Sequence, residues 1–293
     1  CNEKSGLGHL IRCIHLAEKL KKNYKVFFVV DHLIVKKGIK EKLKDIKIIN
    51  LYKNKERFIT EKKDFNFFLN KTKNINFEII FIDHYNLSAT WHKKVSKICK
   101  KIIVIDDLNN RKFFCDYYIN YKTSPLNDFK SRIKKNCLKN TKLLVGSKYC
   151  ILSPNLKINK KSKKFGIMLN FGNSFNFANI KILLKNLTNE HFFKKINLYI
   201  CVGLYSKNYL NIKNLEKRFS NLKIIYKKIF IEKYFNKIKL FIGSSGHSIY
   251  EMSYLNIPSI FFSFKNNQNN SVKEMEKLGH YFLLNQNNLN KIN

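Results

Sequence analysis

The residues that could do chemistry fall in three stretches. In the first, Ser5-Gly6-Leu7-Gly8-His9-Leu10-Ile11-Arg12-Cys13, a Gly-X-Gly turn opens a helix. Glycines there let a backbone come close to a ligand, and N–H groups at a helix start attract anions. A histidine in the first turn meets the positive end of the helix dipole, which favours a neutral imidazole able to accept a proton. His9 is the candidate catalytic base, with Gly8 and Arg12 as candidate binding residues, although a packing turn with an exposed histidine would read the same way. His15 reads as helix surface. In the second stretch, Ile242-Gly243-Ser244-Ser245-Gly246-His247-Ser248-Ile249-Tyr250-Glu251, a strand runs through small residues into a helix. That arrangement cradles a diphosphate on backbone amides. No Gly-Lys-Ser/Thr follows, so this is not a Walker loop. Gly246, His247 and Ser248 are the phosphate candidates. Glu251, one turn inside the helix, could accept from ribose hydroxyls or simply be solvated.

The third stretch ends strands with acids: Ile82-Asp83-His84-Tyr85-Asn86-Leu87 with Trp91, then Ile105-Asp106-Asp107-Leu108 with Arg111, Cys115 and Asp116. Asp106 and Asp107 could hold a metal ion. Neighbours at a strand end point in opposite directions, however, so capping the following turn is the better job for them. The 7 cysteines include no CxxC pair and no Cys/His cluster at zinc spacing. Reduced thiols are expected, and neither a metal nor a cofactor.

These residues need elements to position them. Short apolar, β-branched runs alternate with amphipathic stretches, which predicts βα units and parallel sheets. Strands are expected at 25–30, 46–51, 77–83, 101–105, 117–120 and 142–145 in the first half. In the second they are expected at 165–171, 196–202, 222–226, 240–242 and 259–262. Helices are expected at 9–22, 37–43, 64–70, 87–99, 178–187, 209–219, 232–237, 248–255 and 271–278. A polar, Lys-rich stretch over 154–164 reads as a linker between domains 1–153 and 165–293. The expected fold is α/β, two Rossmann-like domains facing a cleft, with ligands at the carboxyl ends of the strands.

With 293 residues, 44% of them hydrophobic, and 25 Phe and 15 Tyr, wholesale disorder is excluded. No apolar run approaches the roughly 18 residues of a membrane span, so a soluble cytoplasmic protein is the expectation. The net charge of +37 would suit a nucleic-acid binder. Yet only Arg12, Arg57, Arg111, Arg132 and Arg218 are arginines, and the lysines are scattered along the whole chain. Abundant Lys, Asn, Ile, Phe and Tyr match A/T-rich codons, so no specific nucleic-acid partner is expected. Attraction to an anionic substrate stays open.

Taken together, the motifs resemble the nucleotide-sugar hydrolases of pseudaminic acid biosynthesis and the related spore-coat polysaccharide proteins. The family's G-x-G-H-x-x-R-C is met by Gly6, Gly8, His9, Arg12 and Cys13, and its V-D-x-Y-x-L…W by Ile82 to Leu87 and Trp91. Its I-D-D-L-x-x-R…C-D is present as Ile105 to Leu108, Arg111, Cys115 and Asp116. Gly146 to Leu152, Gly243 to Glu251, Asn256-Ile257-Pro258-Ser259 and Asn267-Gln268 continue the match in order. The chain departs from the pattern at His92, Asn120-Tyr121-Lys122, Ser153 and Gly172 to Phe175, and the family's first strand and last helices are not expected in it.

The resemblance implies a GT-B fold and hydrolysis of a UDP-linked 2,4-diacetamido-2,4,6-trideoxy-β-L-altropyranose to UDP and free sugar. It places the catalytic base on His9, an active-site tyrosine on Tyr85, and the Asn-Gln pair on Asn267 and Gln268. The expected partner is the small-molecule UDP-sugar. A glycosyltransferase using the same donor and a degenerate nucleotide-sugar binding module are the other readings left open.

Overall fold

A computed structural model gives the fold and describes residues 8–31, 37–52, 60–122, 129–158, 165–172, 177–189, 196–203, 209–226, 228–263 and 269–285. The chain divides into two compact units, Cys1–Pro154 and Asn155–Asn293.

The first unit starts with helix α1 (Gly8–Leu20), then strand β1 (Phe27–Val30), α2 (Lys37–Lys42), β2 (Lys47–Asn50) and α3 (Glu61–Thr72). Strand β3 (Phe77–Ile82), α4 (Ala89–Val95), β4 (Cys99–Ile105), β5 (Tyr117–Asn120), α5 (Phe129–Asn136) and β6 (Lys142–Val145) follow. β1 and β2 form one parallel ladder, and β3-β4-β5-β6 form another in that order. Among the described residues these two ladders share no hydrogen-bonded strand pair. The core beneath them gathers Phe68, Trp91, Val95, Ile102, Phe113 and Tyr118, all at most 4% exposed. Ser88 caps α4 by accepting from the Thr90 N–H, and Thr60 caps α3 by accepting from the Lys63 N–H.

The second unit holds β7 (Gly166–Asn170), α6 (Phe177–Asn189), β8 (Asn197–Val202), α7 (Tyr209–Lys213), β9 (Leu222–Tyr226) and α8 (Glu232–Phe235). Strand β10 (Leu240–Ser244), α9 (Ser248–Leu255), β11 (Ser259–Ser263), α10 (Asn269–Glu276) and β12 (Phe282–Asn285) complete it. Its six strands are all parallel, in the order β12-β11-β10-β7-β8-β9. Ile167, Met168 and Leu169 in β7 are all fully buried, as expected of a parallel strand covered on both faces. Helix α6 lays Ile180, Leu183, Leu184 and Leu187 on that sheet at helical spacing. The strand order reverses between β7 and β10, so the carboxyl ends of these two strands form the switch point where open α/β sheets bind ligands.

Most sequence-expected elements are present, several with the expected ends. Two were not expected. α5 has only Ile133 buried, too little to make an apolar stripe, and β12 is an edge strand of four residues. The expected helix at 209–219 is instead α7 followed by a 3-10 turn at Asn214–Lys217. Of the expected linker, residues 159–164 lie outside the described residues.

His92, in α4, is fully buried. Its Nδ1 accepts from the Phe114 N–H at 3.3 Å, and its ring stacks on Phe113 at 6.2 Å. Burial first, and the Arg111 charge second, hold its pKa down at about 3. The folded chain therefore keeps His92 neutral while the unfolded chain protonates it near the ordinary value of about 6.5. Below that pH the unfolded state binds the extra proton, so stability falls as pH drops towards 3. One proton corresponds to a slope of about 1.4 kcal/mol per pH unit. Urea unfolding of His92→Gln between pH 6 and 4.5 should show a slope shallower than wild type by about that amount; equal slopes would show that His92 does not govern acid stability.

Candidate functional site

In the first unit the site is built around one carboxylate. His9 and Arg12 lie three residues apart on α1 and so share a helix face. Both reach Asp83, the residue just past β3, whose side chain is 3% exposed. Arg12 donates from Nε to Asp83 Oδ2 at 2.5 Å and from Nη2 to Oδ1 at 2.5 Å, a two-pronged grip. His9 Nδ1 lies 2.6 Å from Oδ1, and the Cys13 thiol donates to Oδ2 at 3.3 Å. The third arm of Arg12, Nη1, donates to the Tyr121 hydroxyl at 2.5 Å.

This geometry assigns the His9 tautomer. Nδ1 also lies 2.9 Å from Arg12 Nη2, which can only donate, but the contact with the anion is the shorter one. A bare lone pair 2.6 Å from a carboxylate oxygen would be repelled, whereas Arg12 Nη2 directs its bond to Asp83 Oδ1, so Nδ1 carries the proton and donates to Asp83. The lone pair then sits on Nε2, on the far side of the ring. Burial opposes ionising Asp83, but the hydrogen bonds from Arg12 and His9 and the Arg12 charge outweigh it, holding the carboxyl down at about 2. The Arg12 guanidinium is disfavoured by its own burial and held firmly charged by Asp83.

Tyr85 packs edge-on against the His9 ring, with centroids 4.3 Å apart. Its hydroxyl donates to Asp107 Oδ1 at 2.6 Å, and burial together with the Asp107 charge pushes its pKa well up. Lys122 Nζ lies 3.8 Å from the other oxygen of Asp107. Asp106 points the opposite way and is fully buried. Its Oδ1 accepts from the N–H groups of Leu108 (3.1 Å) and Asn109 (2.7 Å) and from the Tyr118 hydroxyl (3.0 Å). Its Oδ2 accepts from Arg111 Nη1 at 2.6 Å. Arg111 also donates to the carbonyls of Leu87 and His84, tying the two acid-bearing loops together. The neighbouring aspartates thus have separate tasks: Asp106 caps the turn, and Asp107 holds Tyr85.

In the second unit, the Gly243–Ser248 stretch leaves the end of β10 at the switch point. Gly243 pairs with Asn170 of β7, and a Cβ on Gly243 would collide with the Asn170 carbonyl and the Phe241 ring, so only glycine fits. Ser245 is 4% exposed, with its N–H bonded to the Phe262 carbonyl and its buried Oγ without a hydrogen-bond partner among the described residues. Ser248 opens α9, and its hydroxyl donates to the Ser244 carbonyl at 3.3 Å. The N–H groups of Ser245, Gly246, Ile249 and Tyr250 are bonded to the Phe262, Ser244, Gly246 and His247 carbonyls, so an anion at the start of α9 would compete with these turn bonds for donors. Glu251 is half-buried, and removal from water together with the nearby Glu232 charge pushes its pKa up to about 7.

The structure brings His9, Arg12 and Tyr85 into one cluster. It places Gly246, His247, Ser248 and Glu251 together at the start of α9, while Gly8 opens α1. Asn267 and Gln268 lie outside the described residues. The sequence singles out Asp83 and Asp107 as strand-end acids but does not join them to His9, Arg12 or Tyr85, and nothing in it pairs Tyr121 with Arg12. His15 is buried, not on the helix surface as expected, because its face of α1 turns inward. Among the described residues no helix is long and apolar enough to cross a membrane.

No family model matches this chain, and no curated protein matches it by sequence. Solved structures do match its fold. A UDP-GlcNAc 2-epimerase from Neisseria meningitidis, bound to UDP-GlcNAc, superposes with a TM-score of 0.61 at 14% identity, over 97% of this chain and 87% of the epimerase. Another UDP-N-acetylglucosamine 2-epimerase gives 0.62 at 13% identity, over 96% and 82%. Acinetobacter baumannii MurG gives 0.54 at 13% identity, over 97% and 86%. The fold is GT-B-like. Identities this low establish the fold and no more.

Removing the charge of Asp83 would leave the Arg12 guanidinium buried without its counter-ion. Breaking one partner of a buried pair costs about 3–5 kcal/mol. Asp83→Asn should lose that much unfolding free energy in urea at pH 7, and a loss under about 1 kcal/mol would mean Arg12 is satisfied by Tyr121 alone.

Proposed function

We propose that the chain hydrolyses a UDP-linked sugar at the anomeric carbon–oxygen bond, releasing UDP and the free sugar. The observation that carries this reading is the His9–Asp83 contact, which leaves a lone pair on Nε2 of a histidine whose other nitrogen is held by an anion. Such an imidazole can take a proton from water, and the carboxylate steadies the imidazolium that results. UDP is a good leaving group, so the enzyme needs little besides a base and a held diphosphate. Water oxygen bonds to the anomeric carbon as the bond to UDP breaks, and attack from the face opposite UDP inverts the centre. Neither Asp106 nor Asp107 is required as a metal ligand in this scheme, since each has another task.

The diphosphate is assigned to the Gly243–Ser248 loop, with Ser245 Oγ as an additional donor, and the ribose hydroxyls to Glu251. A UDP-sugar is supported by the fold, since solved proteins of this fold include one bound to UDP-GlcNAc. The Tyr85 hydroxyl donates its hydrogen bond to Asp107, so its oxygen lone pairs remain to accept from a sugar N–H or hydroxyl. The specific sugar, a 2,4-diacetamido-2,4,6-trideoxy-β-L-altropyranose, rests on the motif resemblance, and Asn267 and Gln268 are its proposed amide partners. A glycosyltransferase reading rests on the fold shared with a glycosyltransferase from Rickettsia africae. Release of UDP by the purified protein without any acceptor favours hydrolysis, and UDP release only when an acceptor hydroxyl is added would replace it.

Two results are expected. His9→Ala should lower kcat by about 10²–10⁴-fold, the usual contribution of a general base, while UDP affinity stays within a few-fold. Near-wild-type turnover would remove His9 from the chemistry. Glu251 accepts most strongly when ionised, so UDP-GlcNAc affinity should rise as pH rises through about 7. Glu251→Ala should abolish that rise and weaken binding by about 1.5–3 kcal/mol, the range for bonds to a charged group. Calorimetry showing the same affinity and pH profile in the variant would leave Glu251 without a role in binding.

A further inference from the structure

The turn after β5 reaches the His9 cluster from two strands away. Strand β4 lies between β3 and β5, so Asp83, past the end of β3, and Tyr121, past the end of β5, are separated by two strand spacings, roughly 10 Å. Arg12 bridges them. Its Nε and Nη2 take the two oxygens of Asp83, and its Nη1 donates to the Tyr121 hydroxyl at 2.5 Å. Tyr121 is 8% exposed and its turn is held in place. The buried Asn120 accepts from the Lys122 N–H on its side chain at 3.0 Å and from the Gly146 N–H on its carbonyl at 2.9 Å.

The Arg12 guanidinium is a rigid planar fork. Two bonds to one carboxylate fix its distance but leave it able to swing about that carboxylate, and a third bond on the far side stops the swing. The swing matters because Arg12 Nη2, 2.5 Å from Asp83 Oδ1, also lies 2.9 Å from His9 Nδ1. A small rotation turns its N–H from the carboxylate to the imidazole. Nδ1 then accepts, and the ring proton moves to Nε2, where the base needs its lone pair.

We propose that Tyr121 is a positioning residue that sets the His9 tautomer, acting through Arg12 by keeping the Nη2 N–H on Asp83. That role rests on the hydrolysis reading only for what the Nε2 lone pair does. An N–H left buried without an acceptor is costly. Loss of the Tyr121 hydroxyl therefore drives the fork to regroup, and His9 Nδ1 is an acceptor within its reach. The ring contributes separately, since Arg12 Cζ lies 5.5 Å from the Tyr121 ring centroid. Removing the oxygen alone thus isolates the bond that stops the swing.

The test is Tyr121→Phe, which deletes the hydroxyl and keeps the ring. Whole protein labelled with ¹⁵N-histidine is compared with wild type by long-range nitrogen–proton NMR at neutral pH. In parallel, UDP release from a UDP-linked 2,4-diacetamido-2,4,6-trideoxy sugar is followed. The variant should shift the His9 tautomer ratio towards Nε2–H by about tenfold, the scale of one lost bond to a charged group. Its kcat should fall by a similar factor while KM stays within about twofold, because the buried Tyr121 meets Arg12 and not the sugar. A variant that unfolds more easily but keeps the wild-type tautomer would mark Tyr121 as merely structural and overturn the proposal. So would a fall in kcat with no change at His9. If the wild type releases no UDP, the hydrolysis reading fails, and the tautomer comparison alone upholds or overturns the role of Tyr121.

Discussion

The Asp83 carboxylate is the contact on which the first unit's site depends. It is almost wholly buried, and it ionises there only because Arg12 grips both oxygens and His9 donates to one. Each partner needs the others. Without Asp83, Arg12 would be a buried cation with only a tyrosine for company, and His9 would be free to choose its tautomer. Without Arg12, Asp83 would be neutralised by its surroundings and could not orient the imidazole. A short stretch of α1 thereby fixes the end of β3, and the pairing of β3 with β4 carries that order to the turn bearing Asp106 and Asp107.

That turn repeats the logic with different partners. Asp106 is consumed by its own loop, two backbone N–H groups, Tyr118 and Arg111. This frees Asp107 to fix Tyr85, which in turn packs on His9. Rigid strand ends thus carry the loops, and the loops carry the chemistry. In the second unit the constraint is topological. Reversal of strand order between β7 and β10 opens a crevice at their carboxyl ends, and the Gly243–Asn170 contact brings backbone close there.

Much of this was legible in the sequence. The βα alternation predicted parallel sheets because apolar β-branched runs and amphipathic stretches differ in period, and β5, β6, β9 and α9 match residue for residue. The histidine turn and the glycine-serine loop were legible because glycine before a helix has few other uses. What could not be read is pairing across distance. Asp83 and Arg12 are 71 residues apart, and nothing in either segment says they meet. Tyr121 stood out only as a departure from a pattern, yet it completes the Arg12 grip. Helix α5 was missed because a single buried isoleucine makes no stripe, and its chain is held instead by packing on β6 and by the backbone bonds around Cys137.

Asp83 fixes the His9 tautomer with the proton on Nδ1 and the lone pair on Nε2. Long-range nitrogen–proton NMR of ¹⁵N-histidine-labelled protein at neutral pH measures this directly, with the His9 signals assigned by their loss in His9→Ala. His9 Nδ1 should resonate as a protonated nitrogen and Nε2 as an unprotonated one, and Asp83→Asn should disturb this pattern. A wild-type spectrum with the proton on Nε2 and a bare Nδ1 would contradict it.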